Sequence, residues 1–177
     1  MALQPSRLSR WLAPLAQLVA IVFLFVNASL WLTPDLVEGV VRALPGITPD
    51  TPITVSTQLT LLGLTLSTLH VGILVYALFV IAGIFRVFAR GDWFAPHIGL
   101  CLKRFGMALL LFGATAPLLR VLLVGIFTMQ NPPGQRLFSI GVSANDVVLV
   151  LVGTLIFMLG YMLQEAVRMA DENRQII

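Results

Sequence analysis

Histidine, cysteine and carboxylate side chains supply the general acids, nucleophiles and metal ligands of most protein chemistry. This chain spaces them poorly for all three roles. His70 and His97 are its two histidines and Cys101 its one cysteine. His97 and Cys101 stand four apart and would meet on one helix face, but no carboxylate accompanies them. The adjacent acids Asp171 and Glu172 fall in polar text near the C-terminus. The sequence holds no Gly-rich phosphate loop, no His-Glu-x-x-His helix and no nucleophile elbow. These residues predict no enzyme, no metal and no cofactor, and a lone cysteine forms no intrachain disulfide.

Five polar residues stand out because of what surrounds them: Asn27, His70, Arg120, Asn145 and Asp146. An arginine left unpaired in hydrocarbon costs about 3 kcal/mol at the bilayer centre. Asp146 is the natural counter-charge, with Asn27 and His70 as hydrogen-bond partners. Asn27 is 16 residues from Trp11, His70 is 16 from Arg86, and Arg120 is 16 from Arg104. On helices that puts all three about 24 Å from one membrane face, with Asn145 and Asp146 just above. Such a layer is either internal glue, with Arg120 free to snorkel outward, or a ligand or proton site open to the outside.

The elements that must position these residues are four long apolar stretches, over 11–32, 65–88, 105–129 and 147–169. Each exceeds the roughly 20 residues that a helix needs to cross a hydrocarbon core. With 58% hydrophobic residues, 11% charged residues and a mean hydropathy of +0.96, against about 25% charged in soluble domains, the whole chain 1–177 reads as one all-α, four-helix transmembrane domain in a lipid bilayer. The first stretch follows a basic N-terminus as a signal peptide does, but its length predicts an uncleaved first helix. Basic residues stay on the cytoplasmic side during insertion. Arg7, Arg10, Arg86, Arg90, Lys103, Arg104, Arg168 and Arg174 fall on one side, and Arg42 and Arg136 on the other. Both termini are therefore expected in the cytoplasm, with the helices in a bacterial inner membrane. The net charge of +3 is explained by topology, so no direct nucleic-acid partner is expected. Trp11, Trp31 and Trp93 fall near span ends, as interfacial aromatics do.

The outer loops carry their own signals. Thr33-Pro34-Asp35 reads as an N-cap, a first-position proline and an acid on the helix dipole. The apolar face of Leu36, Val37, Val40, Val41 and Leu44 then makes a short amphipathic helix, lying on the outer membrane surface or folded over the helix ends. The alternation over 53–60 and the segment 137–143 read as two strands. They are predicted to pair as a small β cap, because lone strands near lipid leave backbone groups unpaired. On the inner side Gly91 is expected to end the second span and Pro96 to open the third. Pro117 is expected to kink that third span. Ala16, Ala20, Gly72, Gly83, Gly106, Gly113, Gly153 and Gly160 offer sites of close helix approach.

The inner face holds the distinctive text. Phe85-Arg86-Val87-Phe88-Ala89-Arg90-Gly91-Asp92-Trp93-Phe94 leaves the second span, and Glu165, Arg168, Asp171, Glu172 and Asn173 close the fourth. Glu165 and Arg168 are three apart, as are Arg168 and Asp171, and form an intrahelical ladder. Glu165 and Glu172 would also reach Arg86, Arg90 or Arg104 across the helices. That charge set is either a lock between helices or a docking surface for a cytoplasmic protein. In Arg90-Gly91-Asp92-Trp93-Phe94 and the run ending Glu172-Asn173 the chain resembles the bacterial four-helix membrane proteins grouped as domain-of-unknown-function family 2975. It departs at Ala95, where a capping Thr or Ser is expected before Pro96. The resemblance implies this four-helix fold and, because members of that group are described as encoded beside small helix-turn-helix regulators, a membrane protein that holds or inhibits such a regulator. The expected function is thus a non-enzymatic regulatory or accessory protein that binds a protein partner at the cytoplasmic face or within the membrane. A small-molecule sensor or carrier using the polar layer, and an accessory subunit of a larger complex, are the other readings.

Overall fold

The structure, a computed structural model, describes residues 5–91 and 97–174, with side chains from 8 to 91 and from 97 to 170. The described residues form five helices: α1 Pro5–Leu32, α2 Pro34–Arg42, α3 Thr57–Ala89, α4 Ile98–Thr128 and α5 Ala144–Arg174. Four of them, α1, α3, α4 and α5, are long and apolar enough to cross a membrane.

These four lie in a row. α1 packs along α3, α3 along α4 and α4 along α5, and among the described residues no other pair of long helices packs to any comparable extent. Such a row has little interior. At most 28% of the residues in any apolar window are buried within the protein, which leaves broad apolar flanks such as Leu18, Ile21 and Phe25 on α1 and Leu151, Leu155 and Met162 on α5. A soluble protein could not keep such surface in water; a bilayer solvates it.

The α4–α5 seam is built on glycine. Gly99, Gly106 and Gly113 recur every seven residues on α4, and Gly153 and Gly160 do so on α5. Gly106 lies against the Gly153 carbonyl, Gly99 against the Gly160 carbonyl and Gly113 against the Asp146 carbonyl. A methyl group at any of these positions would run into backbone of the facing helix. A seven-residue repeat keeps one narrow stripe aimed at its neighbour along a slightly supercoiled pair, and small residues let the backbones close up. Gly72 and Gly83, by contrast, face open space; their smallness serves no helix contact. Between α3 and α4, Val87 meets Ile98 and His70 meets Thr115. The two contacts are 17 residues apart on each helix, so one antiparallel register holds along the seam.

At the end of the row opposite Arg86 sits a cap, and it is not β. Among the described residues there is no strand. Residues 53–56 are coil, and 57–60 are already the first turn of α3. Ser56 caps that helix, its hydroxyl accepting from the Leu59 N–H at 3.4 Å, so the alternating pattern ends at a helix start. Residues 137–143 have no regular secondary structure. The two segments expected to pair are tied instead to the end of α4. The Thr54 N–H donates to the Phe127 carbonyl at 3.0 Å, and the Thr128 hydroxyl accepts from the Leu137 N–H at 3.1 Å. Asn131, buried, donates to the Pro52 carbonyl at 2.6 Å and to the Gln135 carbonyl at 3.1 Å. The Thr128 and Asn131 side chains and the last turn of α4 thus satisfy part of the loop backbone that a ladder would otherwise have satisfied.

Of the two placements open to the amphipathic helix, α2 takes the fold over the helix ends. Val37 and Val41 are fully buried against Trp31, Leu123 and Phe127. Pro34 occupies the first turn and Thr33 the N-cap position, although its side chain makes no capping bond. Trp31 is therefore no interfacial belt residue. Its indole lies on Gly63 and stacks on Phe127 with ring centroids 6.0 Å apart. Trp11 is exposed, and Trp93 lies outside the described residues. At the opposite end Gly91, at φ +84°, takes the left-handed conformation that terminates α3. α4 runs continuously through Pro117, which leaves the Gly113 carbonyl without its usual helical donor. Pro96 lies outside the described residues.

Candidate functional site

The polar residues of the layer are distributed over the three seams, one pair to each. The Asn27 amide donates to the Thr68 hydroxyl at 2.9 Å and joins α1 to α3. His70 Nδ1 lies 3.1 Å from the Thr115 hydroxyl and joins α3 to α4. Arg120 and Asp146 join α4 to α5. Thr68 and His70 are two residues apart on α3, and Thr115 and Arg120 five apart on α4, so the pairs occupy one band of depth. Among the described residues no hydrogen bond links one pair to another. Asn145 is exposed and takes no part in any of the three pairs.

Asp146 is the most constrained of these groups. Its carboxylate accepts from Arg120 Nη1 at 2.6 Å and Nη2 at 2.8 Å, a bidentate pair. One of the same oxygens accepts the Ser143 N–H at 2.8 Å, while the Ser143 hydroxyl accepts the Asp146 N–H at 3.2 Å. This reciprocal arrangement is a capping box at the start of α5, with the acid on the positive end of the helix dipole. Arg120 also donates to the Gly141 carbonyl at 2.8 Å. Side chains on a helix lean toward its N-terminus. On antiparallel neighbours Arg120 and Asp146 therefore lean toward each other, which lets them meet although Asp146 faces Gly113 in the backbone register. The Asp146 side chain is 5% exposed and that of Arg120 25%.

His70 is held on two sides. Its ring stacks on Phe112 with centroids 4.2 Å apart. The Thr115 hydroxyl has one hydrogen, and its shortest contact is the Leu111 carbonyl at 2.7 Å. The hydroxyl therefore accepts from His70 Nδ1, which places the imidazole hydrogen on that nitrogen. Among the described residues no buried side-chain nitrogen or oxygen lacks a partner, and no group of three or more His, Cys, Asp or Glu side chains could hold a metal. His97 is exposed at the N-cap of α4 and Cys101 is half-buried.

At the Arg86 end, Glu165 pairs with Arg168 on its own helix. The rung expected to cross from Glu165 to Arg86, Arg90 or Arg104 is not formed. Arg86, Arg90 and Arg104 are exposed; Arg90 Nε donates to the Arg86 carbonyl at 3.4 Å. Asp92 and the side chains of Asp171, Glu172 and Asn173 lie outside the described residues. Lys103, which the charge count treats only as one more basic residue, stands over two rings of α5, 5.5 Å from the Phe157 centroid and 5.6 Å from that of Tyr161.

Sequence reasoning missed Thr68, Thr115 and Ser143 as partners. The first two carry no signal, since a helical threonine ordinarily bonds its own i−4 carbonyl. Ser143 did carry one, the three-residue spacing to Asp146. Gly99, one heptad before Gly106, was equally readable. No protein-family model, no curated protein and no solved structure matches this chain.

Proposed function

We propose that this chain is a non-enzymatic regulatory or accessory protein of a bacterial inner membrane, with both termini in the cytoplasm, that binds a protein partner through the end carrying Arg86 and Arg90. The observation that carries the reading is the contrast between the two polar regions. In the polar layer the side chains are spent on one another, pair by pair. At the Arg86 end the cations of α3 are exposed, while the one described acid nearby, Glu165, is held by Arg168. Among the described residues no carboxylate pairs with Arg86 or Arg90, and exposed charge of this kind steers and orients a complementary surface. The resemblance to domain-of-unknown-function family 2975 supports a helix-turn-helix regulator as that partner.

The test is affinity capture of the tagged protein from native membranes in mild detergent. A partner held by wild type should be lost from R86E/R90E and kept by R42E, a reversal at the cap end. Equal recovery from all three sinks the inner-face assignment. Orientation has its own measurement in a C101S background. T51C should react with a membrane-impermeant maleimide in intact cells and R168C only after lysis; the reverse pattern inverts the topology. The accessory-subunit reading draws on the unpartnered apolar flanks of α1 and α5. A partner that survives R86E/R90E but is lost on polar substitution of Phe25 or Leu155 would favour it.

A further inference from the structure

The surface of the row is not flat. A groove of about 520 Å³ runs over α4, open on one side, between α3 and the Phe157 ring of α5. On α4 its floor extends from Leu100 to Leu111, 11 residues or about 16 Å. Leu69, Gly72 and Tyr76 of α3 continue it toward mid-height. Apart from Tyr76 its polar lining is two cations, Lys103 and Arg104, both near the start of α4. Among the described residues neither makes an ion pair with a carboxylate. Lys103 is held in place by the Phe157 and Tyr161 rings, a contact that positions an ammonium group without neutralising it.

We propose that this groove is a binding site for an anionic phospholipid, with one acyl chain lying along α4 and the phosphate between Lys103 and Arg104. The shape and the charge select this occupant together. The depth of the groove is apolar and as long as most of an acyl chain, and its mouth alone is cationic. The mouth lies at the end of the helices where a headgroup would be. Basic pockets between spanning helices hold anionic headgroups for this reason. A zwitterionic lipid would fill the slot equally well but would bring its own cation to the mouth. The site uses Lys103 and Arg104 and leaves Arg86 and Arg90 to a protein partner.

The experiment is native mass spectrometry of the full chain, released from detergent after mixing with phosphatidylglycerol or phosphatidylcholine of identical chains. Two cations near the surface correspond to an anionic preference of about 30-fold. Wild type should show it and K103Q/R104Q should lose it. Gly72 faces open space inside the groove, so G72L should fold normally and lose retention of both lipids. R86Q/R90Q removes equal charge at the same end outside the groove and should keep the preference. Equal retention of the two lipids by wild type overturns the proposal. So does an R86Q/R90Q loss as large as that of K103Q/R104Q, which would make the preference a property of the whole basic end. A lipid-free dimer that G72L breaks would overturn it as well and assign the groove to a second copy.

Discussion

Asp146 answers three demands at once: it caps α5, offsets the positive end of that helix, and accepts both arms of the Arg120 guanidinium. Removing Arg120 would leave a buried carboxylate with only its Ser143 bond. R120A is therefore expected to cost about 3–5 kcal/mol, read as a lower midpoint on unfolding in mixed micelles of rising SDS fraction. R120K keeps the charge but loses the planar fork and should fall between R120A and wild type. The neutral pairs are weaker. N27L and T115V should each cost about 0.6 kcal/mol and no more than about 1.7, the range for hydrogen bonds between membrane helices. If N27L is as damaging as R120A, Asn27 does more than hold Thr68. This difference also explains what could be read in advance. A charge in apolar sequence that does not snorkel to the surface needs an opposite charge, so Asp146 is the counter-charge that the sequence offers Arg120. Asn27 and His70 need only some hydroxyl, and nothing in the sequence says which threonine supplies it.

Helix pairs carry the next level of specification. On α4 and α5 glycine recurs every seven residues because each touches backbone, and the seam has no slack. G106L should separate the pair. Lys103 reaches over Phe157, so K103C and F157C in a C101S background should cross-link on oxidation, and G106L should abolish that cross-link. G83L, on a glycine that faces open space, should leave it intact. In the cap, V41D would place a carboxylate among Trp31, Leu123 and Phe127. The expected result is faster protease cleavage in 43–56 with the spanning helices undisturbed. Equal cleavage would mean that α2 rests on the membrane surface after all. The strand reading of 53–60 failed for a local reason: a short alternation says little against a serine placed to cap a helix. Alternation was the weaker signal, and Ser56 the stronger. The amphipathic pattern of 36–44 was sound, but it reports only that one face is covered and is silent about whether lipid or protein covers it.

Across the whole molecule, hydropathy made the four spans readable, since any helix that long and apolar needs lipid. Their arrangement in a row was not readable. In water an apolar face must find another apolar face, but in a bilayer lipid serves equally well, so exposed flanks and packed flanks share one composition. Only the small and polar residues mark the seams, and they do so imperfectly: Gly106 and Gly153 lie in one, Gly72 and Gly83 in none. The candidate site was legible to the same degree. That Asn27, His70 and Arg120 share one band followed from counting residues, but the division of that band into three pairs depends on which helices adjoin. The pairing of Arg120 with Asp146 also sets an order of events during synthesis. The chain is made from its N-terminus, and the arginine precedes its counter-charge by 26 residues. α4 thus meets the membrane with an orphan cation, and it becomes fully at home there only when the first turn of α5 arrives. The two helices should enter as a hairpin, and a chain ending at residue 142 should leave α4 poorly inserted and open to quality-control proteolysis.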